Sequence, residues 1–439
     1  MHSLPVVCLC VGLATMAKAA AAFTSFTTIV SRRRINVPVS SSFLRAHTRS
    51  LLSPRRLQAS LQPSPVEALH NVFDDDKDNK MRVFVKRDDK LDLLGAGIYG
   101  NKARKLIGLA SSSSSSSFPS ASVSWGGPQS NALLALAGLV CGVHKKKFVY
   151  YTKSLPQWLK ARPLGNYKRA LELGVDFREL PAAEYRALFG TEGEGEGGEN
   201  AALAMSLQDL PVSQEDGFGA EEGDDVLLVP QGAAFQGAEE GLRLLAEEME
   251  DWWTLEKSEM EMSTREGASL AVLLPAGTGT TAFYLAKHLG RLRVVEKGKG
   301  QEEEIVVYAV PCVGDGDYLK AQMTRMSSPS LSGEEGREGR NTEGGREGSL
   351  KAVSPQILQG SMPHVFGKPE QALLDLWQEI KEKHGLELDL LYGPHAWRVM
   401  RENWGALAAK HQCVCYIHTG GLEGVDSQLG RYRHLGMLK

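Results

Sequence analysis

The chain has 439 residues, enough for two or three domains, and its 42% hydrophobic and 23% charged residues are typical of a globular protein. Its net charge of −3 gives no reason to expect a nucleic acid as partner. The six cysteines have no spacing typical of a metal or redox site, so we predict no metal site.

Residues 1–65 are predicted to be a targeting presequence that lies outside the fold. No Asp or Glu precedes Glu67, whereas arginines recur between positions 32 and 56. The apolar, alanine-rich run at 4–23 is typical of a signal-peptide core, with a short membrane anchor as the alternative. A signal peptide followed by an Arg- and Ser-rich segment resembles the two-part presequence of some plastid proteins, and a mitochondrial presequence is the rival. We expect a plastid protein whose mature form does not bind membranes.

Short apolar runs alternate with helical patterns through the rest of the chain. The runs predicted as strands are 81–89, 146–152, 226–230, 270–277, 304–311 and 412–419. The segments predicted as helices are 131–140, 163–173, 238–250, 281–292 and 369–383. This alternation predicts parallel sheets flanked by helices, which bind ligands where loops leave the carboxyl ends of strands. Tracts rich in Ser, Gly and Glu are predicted to be exposed, mobile loops, at 111–117, 190–198 and 333–348.

A further helix is predicted to begin near Asn101, and its first turn contains three cations, Lys102, Arg104 and Lys105. The positive end of the helix dipole disfavours cations at this place. Surface solvation would explain a lone lysine there. The alternative is that Lys102 has a chemical role and that Arg104 and Lys105 lower its pKa.

Glycine-containing turns follow two of the apolar runs. Gly126 and Gly127 lead into Ser130 and Asn131, either of which can cap the apolar helix that follows. Residues 277–281, Gly-Thr-Gly-Thr-Thr, open another helix, where free N–H groups and hydroxyls suit a phosphate. No Gly-Lys-Ser/Thr follows, which excludes a nucleotide P-loop.

Two more polar positions follow apolar runs near the end of the chain. Tyr392 comes after the run 388–391, which is predicted to be a strand, and Thr419 ends the run 412–419. Each of these polar segments after an apolar run is, by itself, compatible with an ordinary turn. Together they favour a ligand site at the carboxyl ends of the strands.

These motifs together resemble the family of 1-aminocyclopropane-1-carboxylate deaminases and D-cysteine desulfhydrases. The family's Gly-Asn-Lys-x-Arg-Lys-Leu is similar to residues 100–106, its Gly-Gly-x-Gln-Ser-Asn to 126–131, and its Thr-Gly-Ser/Thr-Thr to 278–281. The resemblance covers about 83–421 outside the inserts. It implies an α/β, fold type II enzyme similar to the tryptophan synthase β-subunit, with pyridoxal 5'-phosphate (PLP) in a cleft between two domains.

The resemblance also implies a role for each matching residue. Lys102 would bind the cofactor covalently and move a proton at the substrate α-carbon, while Asn131 would hydrogen-bond the ring oxygen. Ser130 would assist acid–base steps or hold the substrate carboxylate, and Tyr392 would be a second acid–base group. Thr419 would hydrogen-bond the ring nitrogen. The phosphate would be bound by Gly277, Thr278, Gly279, Thr280 and Thr281.

Three positions differ from the deaminase branch of this family. Gly393 stands where the deaminases carry the Glu that protonates the ring nitrogen, and Thr419 stands where they have a leucine. The deaminases also have a second active-site tyrosine in the stretch that resembles 364–373, where this chain has Phe366. Thr at the last position resembles the desulfhydrases, in which a hydroxyl leaves the ring nitrogen largely unprotonated. A cofactor ring with an unprotonated nitrogen is a weaker electron sink. It suffices to eliminate a thiolate, whereas opening a cyclopropane ring requires a stronger one.

We therefore predict β-elimination from a small D-amino acid, with D-cysteine giving pyruvate, sulfide and ammonia. The alternatives are a 1-aminocyclopropane-1-carboxylate deaminase, a PLP-binding protein without turnover, and a phosphate-binding module without PLP. The large domain is predicted to comprise 66–105 and 225–439, and the small domain 106–224 with an acidic insert; a disordered insert is predicted at 325–350. We expect a homodimer that binds an amino acid and neither nucleic acid nor membrane.

Overall fold

The computed structural model describes residues 61–73, 81–111, 118–189, 226–259, 269–296, 304–326 and 354–438. Most of the predicted presequence and of the three low-complexity tracts lies outside the described residues. The predicted insert at 325–350 does so too, except that Arg325 and Met326 are helical.

Residues 61–65, which are predicted to belong to the presequence, are part of the fold. Leu61 and Ser64 are buried, and the Ser64 hydroxyl donates to Asp88 Oδ1 at 2.6 Å. The Arg87 amide donates to Pro65 O at 2.8 Å. Residues 61–65 thus pack with the described fold, and the end of the presequence at residue 65 stays a prediction.

The described residues contain ten strands and twelve α-helices. The strands are β1 Val66–Leu69, β2 Arg82–Lys86, β3 Ala121–Trp125, β4 Lys147–Lys153, β5 Asp176–Leu180, β6 Val226–Leu228, β7 Ser269–Ala276, β8 Glu304–Pro311, β9 Gln356–Ile357 and β10 Cys413–Ile417. The helices are α1 Gly100–Ala110, α2 Asn131–Ala137, α3 Gln157–Ala161, α4 Gly165–Glu172, α5 Ala182–Phe189, α6 Glu239–Glu259, α7 Thr280–Glu296, α8 Gly316–Met326, α9 Gln371–His384, α10 Gly393–Glu402, α11 Trp404–Ala408 and α12 Val425–His434.

The strands form two sheets. The larger sheet has the order β1-β2-β10-β7-β8-β9, and all its pairs are parallel except β1 with β2. The smaller sheet has the order β5-β4-β3-β6 and is parallel throughout. Because β6 pairs with β3, the smaller sheet extends beyond the predicted domain boundary at residue 224.

The predicted strands and helices are all present, with one exception. The run 388–391, predicted to be a strand, is a loop. Its leucines Leu388 and Leu390 are buried in the core as a strand's would be. The carboxylate of Asp389, between them, accepts hydrogen bonds from the amides of the next residues in the chain. These local hydrogen bonds fold the backbone into a turn, so it does not continue as a paired strand.

Both faces of the large sheet are buried, as the continuous apolar strands require. In β7, for example, Ala271 and Leu273 enter one core cluster, while Leu270 and Val272 enter the cluster on the opposite face. A third cluster joins the small sheet to α1 and α2. The helix that carries Lys102 is therefore packed on one side into the core of the small sheet.

Helices α1 and α6 cross at a glycine. A Cβ at Gly241 of α6 would overlap Arg104 O of α1, so only glycine lets the two backbones approach this closely. In the part of the chain that the structure describes, no helix is long and apolar enough to cross a membrane. Nor do the described residues contain a group of three His, Cys, Asp or Glu that could hold a metal ion.

Candidate active site

A cavity of about 1860 Å³ lies where the carboxyl ends of the two sheets meet. Its walls are the loops after β3, β7 and β10 together with the start of α1. All ten sequence-predicted site residues line it: Lys102, Ser130, Asn131, Gly277, Thr278, Gly279, Thr280, Thr281, Tyr392 and Thr419. The fold thus brings together residues that are far apart in the chain, at the place expected for a parallel α/β protein.

Close backbone contact holds Lys102 beside the loop after β10. A Cβ at Gly100, which has φ +64°, would overlap Thr419 O, so glycine is needed there. The Asn101 amide donates to the same carbonyl at 2.9 Å. Lys102 Nζ lies in the cavity and donates to Asn101 Oδ1 at 3.0 Å.

The cavity makes Lys102 a reactive amine. Burial lowers the pKa of Lys102 to about 8, against the opposing charges of Glu423 and Asp389. About a tenth of the molecules therefore carry a neutral amine at pH 7, far more than for a lysine with the usual pKa, as a nucleophilic lysine requires. The carboxylate of Glu423 also lines the cavity, and burial raises its own pKa.

The hypothesis that Arg104 lowers the pKa of Lys102 is wrong. Arg104 is fully buried and turned away from the cavity, where its guanidinium binds Asp88 at 2.7 Å and Glu248 at 2.8 Å. These carboxylates neutralise its charge. Desolvation, which the sequence alone does not reveal, lowers the pKa of Lys102 instead.

Lys105 is a site residue whose role the sequence analysis missed. It is buried, lines the cavity, and its Nζ donates to Gly232 O at 3.2 Å. Gly232 lies against Thr278, since a Cβ on it would be 3.0 Å from Thr278 Cγ2. Burial, and secondarily the charge of Lys102, lowers the pKa of Lys105 well below its usual value. An anion bound beside Nζ would raise this pKa again and favour the charged ammonium group. The spacing of Lys105 from Lys102 could have revealed this role, because residues three apart lie on one face of a helix.

The loop after β7 has the geometry of a phosphate site. The first hydrogen bond of α7 runs from Phe283 N to Gly279 O at 2.9 Å. The amides of Thr280, Thr281 and Ala282 precede it and have no acceptor among the described residues. The hydroxyls of Thr278 and Thr280 are 2.9 Å apart at the same end. Donors of this kind at a helix N-terminus bind phosphate.

The loop after β3 is held by its own polar side chains. Ser130 caps α2, accepting from the amides of Ala132 at 3.2 Å and Leu133 at 3.4 Å. Of the two predicted caps, Ser130 is therefore the one that caps α2, and its side chain also forms a hydrogen bond with the phenol of Tyr150. Asn131 Oδ1 accepts from Nδ2 of the buried Asn166 at 2.8 Å.

Tyr392 closes the cavity on the side of the large sheet. Its hydroxyl lies near Gly277, since a Cβ there would be 3.6 Å from the Tyr392 oxygen. Burial, then the nearby Cys312 and Asp389, raises the pKa of Tyr392 far above neutral, so its phenol remains protonated. Asp389, another residue that the sequence analysis missed, fixes this turn by accepting from the amides of Tyr392 and Gly393 at 2.7 and 3.0 Å.

The cavity fits pyridoxal 5'-phosphate. Lys102 would supply the amine that binds its carbonyl carbon, and the unused amides of α7 with Lys105 would hold its phosphate. Asn131 lies beside Gly421, where its amide can meet the ring oxygen. Thr419 lines the cavity, and its hydroxyl has no hydrogen-bond partner among the described residues, as a partner for the ring nitrogen requires.

No protein-family model and no curated protein matches this sequence. Among solved structures, the chain is similar to an ACC deaminase homologue, with 19% identity over 86% of this chain and 98% of that chain and a TM-score of 0.55. The fold is that of the fold type II PLP enzymes. Maize serine racemase is more distant, with 11% identity, 87% and 97% of the two chains covered, and a TM-score of 0.47. At such low sequence identity the similarity establishes the fold and not the reaction.

Proposed function

We propose that this chain is a PLP-dependent enzyme that eliminates the β-substituent of a small D-amino acid. D-cysteine represents the substrate class and is converted, with one water, to pyruvate, hydrogen sulfide and ammonia. The observation that carries the proposal is that Lys102 and Thr419 line the same cavity. It contains a lysine whose pKa is lowered and a hydroxyl without a partner among the described residues, and the position after Tyr392 holds no carboxylate.

Each polar side chain of the cavity has one task in this reaction. PLP would supply the electron sink that makes the α-proton acidic. Lys102 removes that proton, because burial lowers the pKa of its amine toward neutral pH. Tyr392, a neutral phenol, donates a proton to the departing sulfur. Ser130 donates its O–H to the substrate carboxylate while its oxygen caps α2.

The surroundings of Gly393 favour this reaction over ring opening. A Cβ at Gly393 would lie 2.7 Å from Leu388 Cβ and 3.3 Å from Asp389 Oδ2. A glutamate at this position therefore requires a shift of the backbone. Asp389 itself is fully engaged with backbone amides. The ring nitrogen is left with the Thr419 hydroxyl, which keeps it largely unprotonated and suits a good leaving group.

Phe366 supports the same choice. Its ring packs against Tyr392 with 5.2 Å between the ring centroids, and the side chain lines the cavity. Phenylalanine offers no hydroxyl at this wall of the cavity. The deaminase reaction would therefore lack two of its polar groups, the glutamate and the second tyrosine.

Absorbance and product assays test the proposal. The purified protein with PLP is expected to show the visible band of a lysine-linked cofactor, which Lys102→Ala removes and the exposed Lys410→Ala retains. We expect sulfide and pyruvate from D-cysteine, and Tyr392→Phe should keep the band while slowing release. A panel of D- and L-amino acids defines the substrate class.

The other outcomes identify the alternatives. α-Ketobutyrate from 1-aminocyclopropane-1-carboxylate, without sulfide from D-cysteine, would establish the deaminase. A visible band with no product from any amino acid would indicate a PLP-binding protein without turnover. Absence of the band in the wild-type protein at saturating PLP would exclude all three PLP-dependent functions.

A further inference from the structure

We propose that Asn166 is a positioning residue, which orients the amide of Asn131 so that the Asn131 NH₂ group faces the cofactor. This inference rests on the proposed function, in which Asn131 donates to the ring oxygen of PLP. Asn166 lies at the start of α4, and the sequence motifs assign it no role.

Asn166 is fully buried and hydrogen-bonded to the loop that carries Asn131. Its Nδ2 donates to Gln129 O at 3.1 Å and to Asn131 Oδ1 at 2.8 Å. Its backbone amide donates to Gln129 Oε1 at 2.9 Å. Gln129 is fixed in turn, because its Nε2 donates to Leu164 O at 3.0 Å.

This network allows only one orientation of each amide. A backbone carbonyl can only accept, so the group of Asn166 that faces Gln129 O must be NH₂. The same NH₂ group faces Asn131, so Asn131 must turn its oxygen toward Asn166. The reversed arrangement would place two acceptor oxygens within hydrogen-bond distance and no proton between them.

Asn131 lines the cavity, and with its Oδ1 held by Asn166, its Nδ2 is left without a hydrogen-bond partner among the described residues. A Cβ at Gly421 would be 2.8 Å from this atom, so the loop after β10 lies directly against it. Gly421 has φ +92°, which favours glycine, and the absence of a side chain there keeps Nδ2 uncovered. An oxygen acceptor on the cofactor ring is the partner that an NH₂ group in this place suits.

The orientation is kept at a cost to the fold. Asn166 Oδ1 is buried and has no hydrogen-bond partner among the described residues. A buried carbonyl oxygen without a partner destabilises a protein. The two donated hydrogen bonds therefore determine how Asn166 lies, and their consequence is the orientation of Asn131.

Three substitutions at position 166 separate orientation from packing. Asn166→Asp keeps the shape but offers only acceptors when ionised, so Asn131 should turn its NH₂ group away from the cofactor. Asn166→Ala leaves the amide of Asn131 free to rotate. Asn166→Ser alters the shape more than Asp does, yet retains a hydroxyl that can donate to Asn131 Oδ1. Asn403→Asp is the matched control, because Asn403 Nδ2 also donates to two backbone carbonyls, those of Gln359 and Val399.

The readouts are the absorbance spectrum of the PLP-loaded protein, which reports protonation of the ring oxygen, and the dissociation constant for PLP. We expect Asn166→Asp to move absorbance from the visible to the near-ultraviolet band and to weaken PLP binding about tenfold, as for one lost charge-assisted hydrogen bond. Asn166→Ala should have a smaller effect, and Asn166→Ser and Asn403→Asp should resemble the wild type. Thermal unfolding without PLP shows whether each variant is folded; if the Asn166→Asp variant does not fold, the comparison of Asn166→Ala with Asn166→Ser decides.

Two results would overturn the inference. A wild-type spectrum and affinity in a folded Asn166→Asp protein, or in Asn166→Ala with no difference from Asn166→Ser, would show that Asn166 does not orient Asn131. In both cases the wild type still carries its lysine-linked band, so the proposed function stands. Absence of that band in the wild type removes the proposed function and the inference with it.

Discussion

Lys102 illustrates how a residue acquires reactivity from its surroundings. Its pKa is lowered because the cavity wall excludes water, while Glu423 and Asp389 limit the shift. The cations next to it in the sequence serve other purposes: Arg104 binds carboxylates in the interior, and Lys105 faces the phosphate loop. Arg104, two residues from Lys102, points into the interior, whereas Lys105, three residues from Lys102, lies on the same helix face and has its pKa lowered by the charge of Lys102.

The loading of PLP should therefore depend on pH with a midpoint of about 8, the pKa of Lys102. Only the neutral amine reacts, so the rate should rise as the pH increases through that value. Because the charge of Glu423 raises the pKa of Lys102, Glu423→Gln should move the midpoint to lower pH. Stopped-flow absorbance measures the rate, and the exposed Glu382→Gln, outside the cavity, is the control. A midpoint near the usual lysine value of about 10.4 would contradict this account.

At the scale of elements, α1 is fixed by a buried ion cluster. Arg104 bridges Asp88, which follows β2, and Glu248 of α6, while Lys86 Nζ binds the same Glu248 at 2.6 Å. Burial alone would raise the pKa of Asp88, but the charge and hydrogen bonds of Arg104 lower it below its ordinary value. The cluster ties α1, and with it Lys102, to the large sheet.

Arg104→Met should lower the free energy of unfolding by about 3–5 kcal/mol, because it leaves Asp88 buried without its partner. The wild type should lose the Asp88 contribution only as the pH falls through the lowered pKa of this carboxyl. In the variant, the penalty should shrink on acidification, as protonation removes the unpaired charge.

Urea unfolding at several pH values measures both effects. Arg401→Met is the matched control: Arg401 pairs with Glu379 at the surface, with 43% and 32% of the two side chains exposed. That substitution should cost no more than about 1 kcal/mol. An equal decrease in the free energy of unfolding for the two variants would show that the buried cluster stabilises the fold no more than a surface ion pair does.

At the scale of the whole molecule, the site exists only because two sheets meet. The large sheet supplies residues 277–281, Tyr392 and Thr419, and the small sheet supplies Ser130 and Asn131. Helix α1 lies between them, packed into the small-sheet core and tied to the large sheet by Arg104. A ligand that spans the cavity should therefore stabilise the entire fold.

PLP at about 100 times its dissociation constant should stabilise the folded chain by about 2.7 kcal/mol, which a rise in Tm makes visible. Pyridoxal without the phosphate should give a smaller rise, since it leaves the α7 amides and Lys105 without a ligand. Lys105→Met should reduce the effect of PLP and leave that of pyridoxal unchanged. An equal rise in Tm with PLP and with pyridoxal would show that the phosphate does not bind at the α7 amides and Lys105.

The sequence by itself determined the class of fold and most of the site. Continuous apolar strands followed by Gly-rich turns indicate parallel sheets with a ligand at their carboxyl ends. A strand buried on both faces needs a continuous apolar run, and a helix whose N-terminal amides bind an anion is commonly preceded by a glycine-rich turn, so both leave a local pattern in the sequence. The strand predicted at 304–311 coincides with β8, and the predicted site residues share one cavity. The plastid location and the homodimer stay predictions.

Only the tertiary structure decided what depends on distant neighbours. It shows that burial lowers the pKa of Lys102, that Arg104 faces the interior, and that 388–391 is a loop. It also joins Asn166 to Asn131 and leaves no room for a side chain at Gly393. Desolvation, hydrogen-bond orientation and steric space are set by groups that meet only when the chain folds, so no local pattern encodes them.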